Sequence, residues 1–122
     1  MDSEKNMKRF ITALFAAALG SACAGAGPVP TDRMAAAEAS YRGAQEAGAD
    51  GAPQARLALK LAQDEIAQAK QLIAQQKNGD AARVLEQAKA DAELAVGLAR
   101  EAKAEQEAHQ AVEQIRLLQS AK

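Results

Sequence analysis

Apolar and polar positions alternate along this chain with the period of a helix, not that of a strand. Before the middle of the chain apolar residues recur at Ala55, Leu59, Ala62, Ile66, Ala69 and Ile73, and after it at Leu85, Ala88, Ala92, Ala95, Ala99 and Ala102. Steps of three and four paint one face of an α-helix in each run. The stretch between them, Gln75-Gln76-Lys77-Asn78-Gly79-Asp80-Ala81, predicts a helix stop fused to a helix start. In this reading Gly79 takes the left-handed conformation that ends one helix, and Asp80 caps the next by accepting backbone N–H bonds. Folding about Gly79 sets Ile73 near Leu85, Ala69 near Ala88, Ile66 near Ala92 and Leu59 near Ala99. Layers with a branched residue then alternate with alanine-on-alanine layers, which suits two antiparallel helices lying close together.

A further helix is expected ahead of the hairpin, capped by Thr31 or Asp32 and carrying the stripe Met34, Ala37, Tyr41, Ala44 and Ala47. Gly48-Ala49-Asp50-Gly51-Ala52-Pro53 breaks it, and Pro53 is acceptable in the first turn of the next helix. The fold class is therefore all-α: an antiparallel helical hairpin within a three-helix, coiled-coil-like bundle, with helices at about 32–47, 53–77 and 80–120. The third is much the longest. Counting back from the turn pairs Ala55 with about Lys103, so residues from Ala104 onward project past the second helix. That overhang carries its own stripe, Ala104, Ala108, Ala111, Ile115 and Leu118, with Val112 beside it. An apolar helical stripe with no partner in its own chain invites another helix. Ala108, Val112, Ile115 and Leu118 are thus the candidate contacts for a protein partner or a second copy.

Composition changes this picture in one respect. Of the 122 residues 48% are hydrophobic, but alanine supplies most of that, and the aromatic residues are only Phe10, Phe15 and Tyr41. A core of methyl groups gains about 0.8 kcal/mol per buried carbon, so the bundle relies on helix propensity and close backbone approach. The formal charge of −1 and the lack of a basic face or aromatic platform argue against nucleic acid as a partner. A single cysteine allows no intrachain disulfide.

The first 22 residues read as an export signal. Lys5, Lys8 and Arg9 precede the apolar run from Phe10 to Leu19, after which small residues follow; Met1 and Met7 are both possible initiators. A bilayer span needs about 20 apolar residues, and this run stops short of that. Leu19-Gly20-Ser21-Ala22-Cys23 resembles the lipobox of bacterial lipoproteins, which implies cleavage before Cys23 and acylation of its thiol and new amine. Two or more acyl chains anchor a protein stably, so Cys23 would be its membrane attachment. Gly20 stands where that motif usually has leucine, and ordinary signal cleavage after Ala24 or Ala26 is the competing expectation. Ala24 follows the cysteine where an aspartate would imply inner-membrane retention, which favours the outer membrane. Residues 23–31, with Gly25, Gly27, Pro28 and Pro30, form a tether, and 32–122 the alanine-rich helical domain.

Ala35-Ala36-Ala37-Glu38-Ala39, the Gln45-Glu46-Ala47-Gly48-Ala49 turn, Ala52-Pro53, and Asn78-Gly79-Asp80-Ala81-Ala82-Arg83 through Lys89-Ala90-Asp91-Ala92-Glu93-Leu94-Ala95 resemble the DUF4398 family of bacterial envelope proteins over about Asp32 to Leu118. The resemblance implies a helical domain, often on a lipoprotein, for which no activity is established; some members add a peptidoglycan-binding domain. A second resemblance is to the murein lipoprotein, whose terminal lysine is joined to peptidoglycan. Lys122 ends this chain, but turns at Gly48 and Gly79 contradict one continuous helix, and a covalent link at Lys122 is disfavoured.

Candidate chemistry is sparse. His109 has Glu105 and Glu113 one turn away on either side, yet zinc normally takes three or four ligands, and a solvated charged face is the simpler reading; no metal is expected. Acidic pairs such as Asp64-Glu65 have no cleft to shift their pKa values. Glu86 with Lys89 reads as surface charge patterning. No nucleophile has a plausible base and no glycine loop suits a phosphate, so catalysis, cofactors and a small-molecule substrate are not expected. The expectation is a non-enzymatic envelope lipoprotein, a helical spacer or interaction module facing the periplasm; the alternative is a soluble periplasmic binding or chaperone-like protein.

Overall fold

The computed structural model describes residues 27–121. The expected export signal, Cys23 and Lys122 lie outside the described residues. Three helices follow in order: α1 over Thr31–Glu46, α2 over Pro53–Ala74 and α3 over Asn78–Ser120. They pack on one another as an up-down-up bundle with a long third helix, and no strand occurs among the described residues. At 43 residues α3 is about 64 Å long, against about 33 Å for the 22 residues of α2.

Among the described residues the core is almost wholly alanine, interrupted only by Leu59, Ile66 and Leu85. It divides into two clusters along the hairpin. Near the turn Ile66 and Ala69 of α2 meet Ala81, Leu85 and Ala88 of α3 and Ala37 of α1. At the far end Ala55, Ala58 and Leu59 meet Ala95 and Ala99 of α3 and Ala44 of α1. This is the order an antiparallel pair demands, and it makes α1 parallel to α3. Tyr41 packs against both clusters. It is the one large side chain with which α1 bridges them.

Both interhelical turns are built as the same six-residue helix stop. At the end of α1 the N–H of Ala49 donates to Ala44 O and that of Gly48 to Gln45 O, with Gly48 at φ 87°. At the end of α2 the N–H of Lys77 donates to Leu72 O and that of Gln76 to Ile73 O. Here the left-handed residue is Gln76, at φ 60°. Each stop satisfies carbonyls that the helix end leaves free.

The reversal therefore comes three residues earlier than the glycine suggests. Gly79 has no positive φ, and it lies in the first turn of α3. Ala81 and Leu85 are buried, so the helix must already be running when it reaches them. Asp80 does not cap it: Lys77 occupies the N-cap position without a side-chain bond, and Asp80 instead pairs with Arg83. Its carboxylate still favours the positive end of the helix. The first helix departs from expectation in the same way, because Pro30 holds its N-cap position and neither Thr31 nor Asp32 supplies a capping side chain. Pro53 does open α2, following Ala52 in an extended conformation.

Candidate functional site

The feature that stands apart from the bundle is the free end of α3. Ala102 is the last residue that packs against the core, and every residue from Lys103 to Ala121 is exposed. That extension is about 28 Å long. Ala108 lies on it in the open, with Val112 at 61%, Ile115 at 56% and Leu118 at 72% exposure. Such values leave most of each apolar side chain in water.

The apolar stripe of the extension does not continue the core stripe. Carried past Ala102 at the same period, the core face would meet Gln106, His109 and Glu113, all polar. The apolar positions restart at Ala104, two residues on, which is a rotation of about 200° around the helix. So the tip is not a stretch of hairpin seam whose partner helix is too short. Its apolar face looks the other way.

The opposite end of the bundle is where the described chain enters. The Asn78 side chain is buried there and donates from Nδ2 to the carbonyl of Gly27, joining the segment before α1 to the start of α3. Because α1 and α3 run in parallel, this entry point and the exposed tip lie at opposite ends of α3. Two ion pairs hold α1 in place, Lys70 to Glu38 at 2.9 Å and Arg33 to Glu86 at 3.4 Å. Glu86 thus reaches across to α1 and not to Lys89, whose Nζ lies 3.6 Å from Glu93. Exposed pairs like these are each worth about 0.2 to 1 kcal/mol.

One acidic group departs from expectation. Glu65 is half-buried, its Oε2 has no donor, and its carboxyl is pushed up to about 7 by burial, then by the charge of Asp91 and a hydrogen bond with it. The two carboxyls face each other across the α2–α3 interface. The neighbour in sequence is not the partner: Asp64 binds Lys60 at 2.6 Å, and the group that perturbs Glu65 comes from another helix. The hairpin register contains the signal, since Ile66 opposite Ala92 brings the preceding residues, Glu65 and Asp91, to the same edge. A groove of about 440 Å³ between α1 and α2, lined by Tyr41, Ile66 and the Glu38–Lys70 pair, is open to solvent. Among the described residues no group of three or more His, Cys, Asp or Glu side chains is placed to hold a metal ion, His109 with its neighbours included. None of the described helices is long and apolar enough to cross a membrane.

Among the described residues, fold and surface together define an all-helical bundle of three antiparallel and parallel segments, extended by one helix end that packs against none of them. The chain belongs to the DUF4398 family, described as a domain of unknown function, whose model matches residues 32–111. The match covers the bundle and the first part of the extension and stops short of Val112, Ile115 and Leu118. No curated protein and no solved structure matches the chain.

Proposed function

We propose that this chain is a non-enzymatic lipoprotein of the bacterial envelope, anchored through Cys23 and facing the periplasm, most simply from the outer membrane. Its helical domain is a spacer that presents an interaction surface at a distance from the lipid. The reading is supported by the arrangement of entry point and tip at opposite ends of α3. Cys23 stands four residues before Gly27, a reach of about 14 Å at most. A bundle tied there would carry Ile115 and Leu118 away from the bilayer, at the end of a helix about 64 Å long. The lipobox resemblance supports the anchor, and the exposed apolar tip supports the interaction role.

Radiolabelled palmitate tests the anchor. It is expected to enter the parent protein in cells and to be absent from a Cys23→Ser variant. Equal labelling of the two, or none in the parent, would remove the lipid from this reading and favour a soluble periplasmic protein.

A further inference from the structure

The stripe on the extension does not begin there. Followed back along α3 at the same alternation of fours and threes, it runs from Ala104 through Glu101 to Gly97, Leu94 and Ala90, all exposed on the side of the helix away from α2. From Ala90 to Leu118 the seam covers nine positions, four heptads in length, and Glu101 is its one charged member. A sustained heptad of this kind is the pattern of a coiled-coil face. It lies back to back with the alanine core on the same helix.

Gly97 is the second observation. A glycine inside a helix weakens it, and a close neighbour usually explains one. Here a Cβ at Gly97 would meet nothing within 4 Å, so packing within the chain does not require its absence. Charge is the third. Glu101 lies in the seam and Arg100 and Glu105 flank it, and among the described residues none of the three has an ion-pair partner, whereas Lys103 pairs with Glu107 and Arg116 with Glu113.

We propose that the seam is covered by a second copy of this chain, lying parallel and in register, so that two bundles join through their α3 helices. In that arrangement the residues just before and just after the seam face each other across it, five positions apart. Arg100 of each copy then meets Glu105 of the other and sits beside its Glu101, which neutralises the one charge in the seam. Gly97 faces Gly97 in the layer between Leu94 and Glu101, where the missing side chains let the two backbones approach closely. Leu94, Ile115 and Leu118 supply the branched layers. An antiparallel pair would separate these three charges and would bring Arg100 towards glutamates that lysines already hold. The inference rests on the interaction-module reading above and names its partner.

The full 122-residue chain carrying Cys23→Ser, purified in a non-ionic detergent, tests it. Sedimentation equilibrium is expected to give twice the chain mass. Ile115→Lys should weaken the dimer by about tenfold or more, while Leu117→Lys, equally exposed but off the seam, should leave it unchanged. Arg100→Glu should weaken it, and adding Glu105→Arg should restore part of the loss. With Leu118→Cys, oxidation should link two copies; with Leu117→Cys it should not. A protein of single-chain mass overturns the proposal. So does an assembly indifferent to Ile115→Lys, or one in which position 117 crosslinks as readily as position 118. Palmitate incorporation by the parent chain is read separately: a labelled monomer sinks the dimer and leaves the anchor, and an unlabelled dimer does the reverse.

Discussion

Replacing Glu65 by glutamine tests the hairpin interface through its pH dependence. In the folded protein the Glu65 carboxyl titrates near 7, above its ordinary value of 4.5, because burial and Asp91 disfavour its charge. Between those two values the folded state holds a proton that the unfolded chain has released. Stability from this group is therefore fully present below about pH 4.5 and is lost as pH rises through about 7. A displacement of that size would be worth about 3 kcal/mol in a dry interior. Water reaches one side of the half-buried pair, and screening leaves on the order of 1 to 2 kcal/mol. Urea unfolding followed by far-ultraviolet circular dichroism at about pH 5 and about pH 8 should show the parent losing that much, against a total of about 5 kcal/mol for a domain this small. Glu65→Gln should flatten the difference and exceed the parent in stability at the higher pH. Asp91→Asn should shrink it. An unchanged slope in Glu65→Gln would mean that Glu65 does not retain a proton at the α2–α3 interface.

The packing sets three further outcomes. Leu85 is the largest fully buried side chain among the described residues, and Leu85→Ala should cost about 2 to 5 kcal/mol in urea unfolding, enough to leave much of the domain unfolded at room temperature. Gln76→Gly should stabilise by up to about 1 kcal/mol, since it relieves a positive φ, whereas Gly79→Ala should be neutral or stabilising because that position is helical and open. A large loss from Gly79→Ala, measured as a fall in midpoint, would restore the turn to Gly79. Asn78→Ala removes the bond to Gly27 and should cost about 1 to 2 kcal/mol, with faster hydrogen exchange in the first turns of α1 and α3.

How much of this molecule could be read from its residues depends on the range of the interaction involved. The spacing of Leu59, Ile66, Ala69, Leu85, Ala88 and Ala99 is a one-dimensional property of a helix, so the hairpin, its order and the overhang beyond Lys103 were legible in the chain alone. Membership of the DUF4398 family was legible too, through short runs that a helix surface preserves. The point of reversal was not, because local preference favours Gly79 over Gln76 as the left-handed residue. Burial of Ala81 and Leu85 against α2 and α1 chose Gln76, at some local cost. The raised carboxyl of Glu65 beside Asp91 likewise needs two helices in contact, as does the reach of Arg33 to Glu86. What tertiary structure alone decided is that neither α1 nor α2 covers the opposite face of α3. Once Ala88, Ala92, Ala95 and Ala99 are turned inward against α2, rigid helical geometry leaves the stripe from Ala90 to Leu118 in water, because side chains two residues apart cannot share one side of a helix.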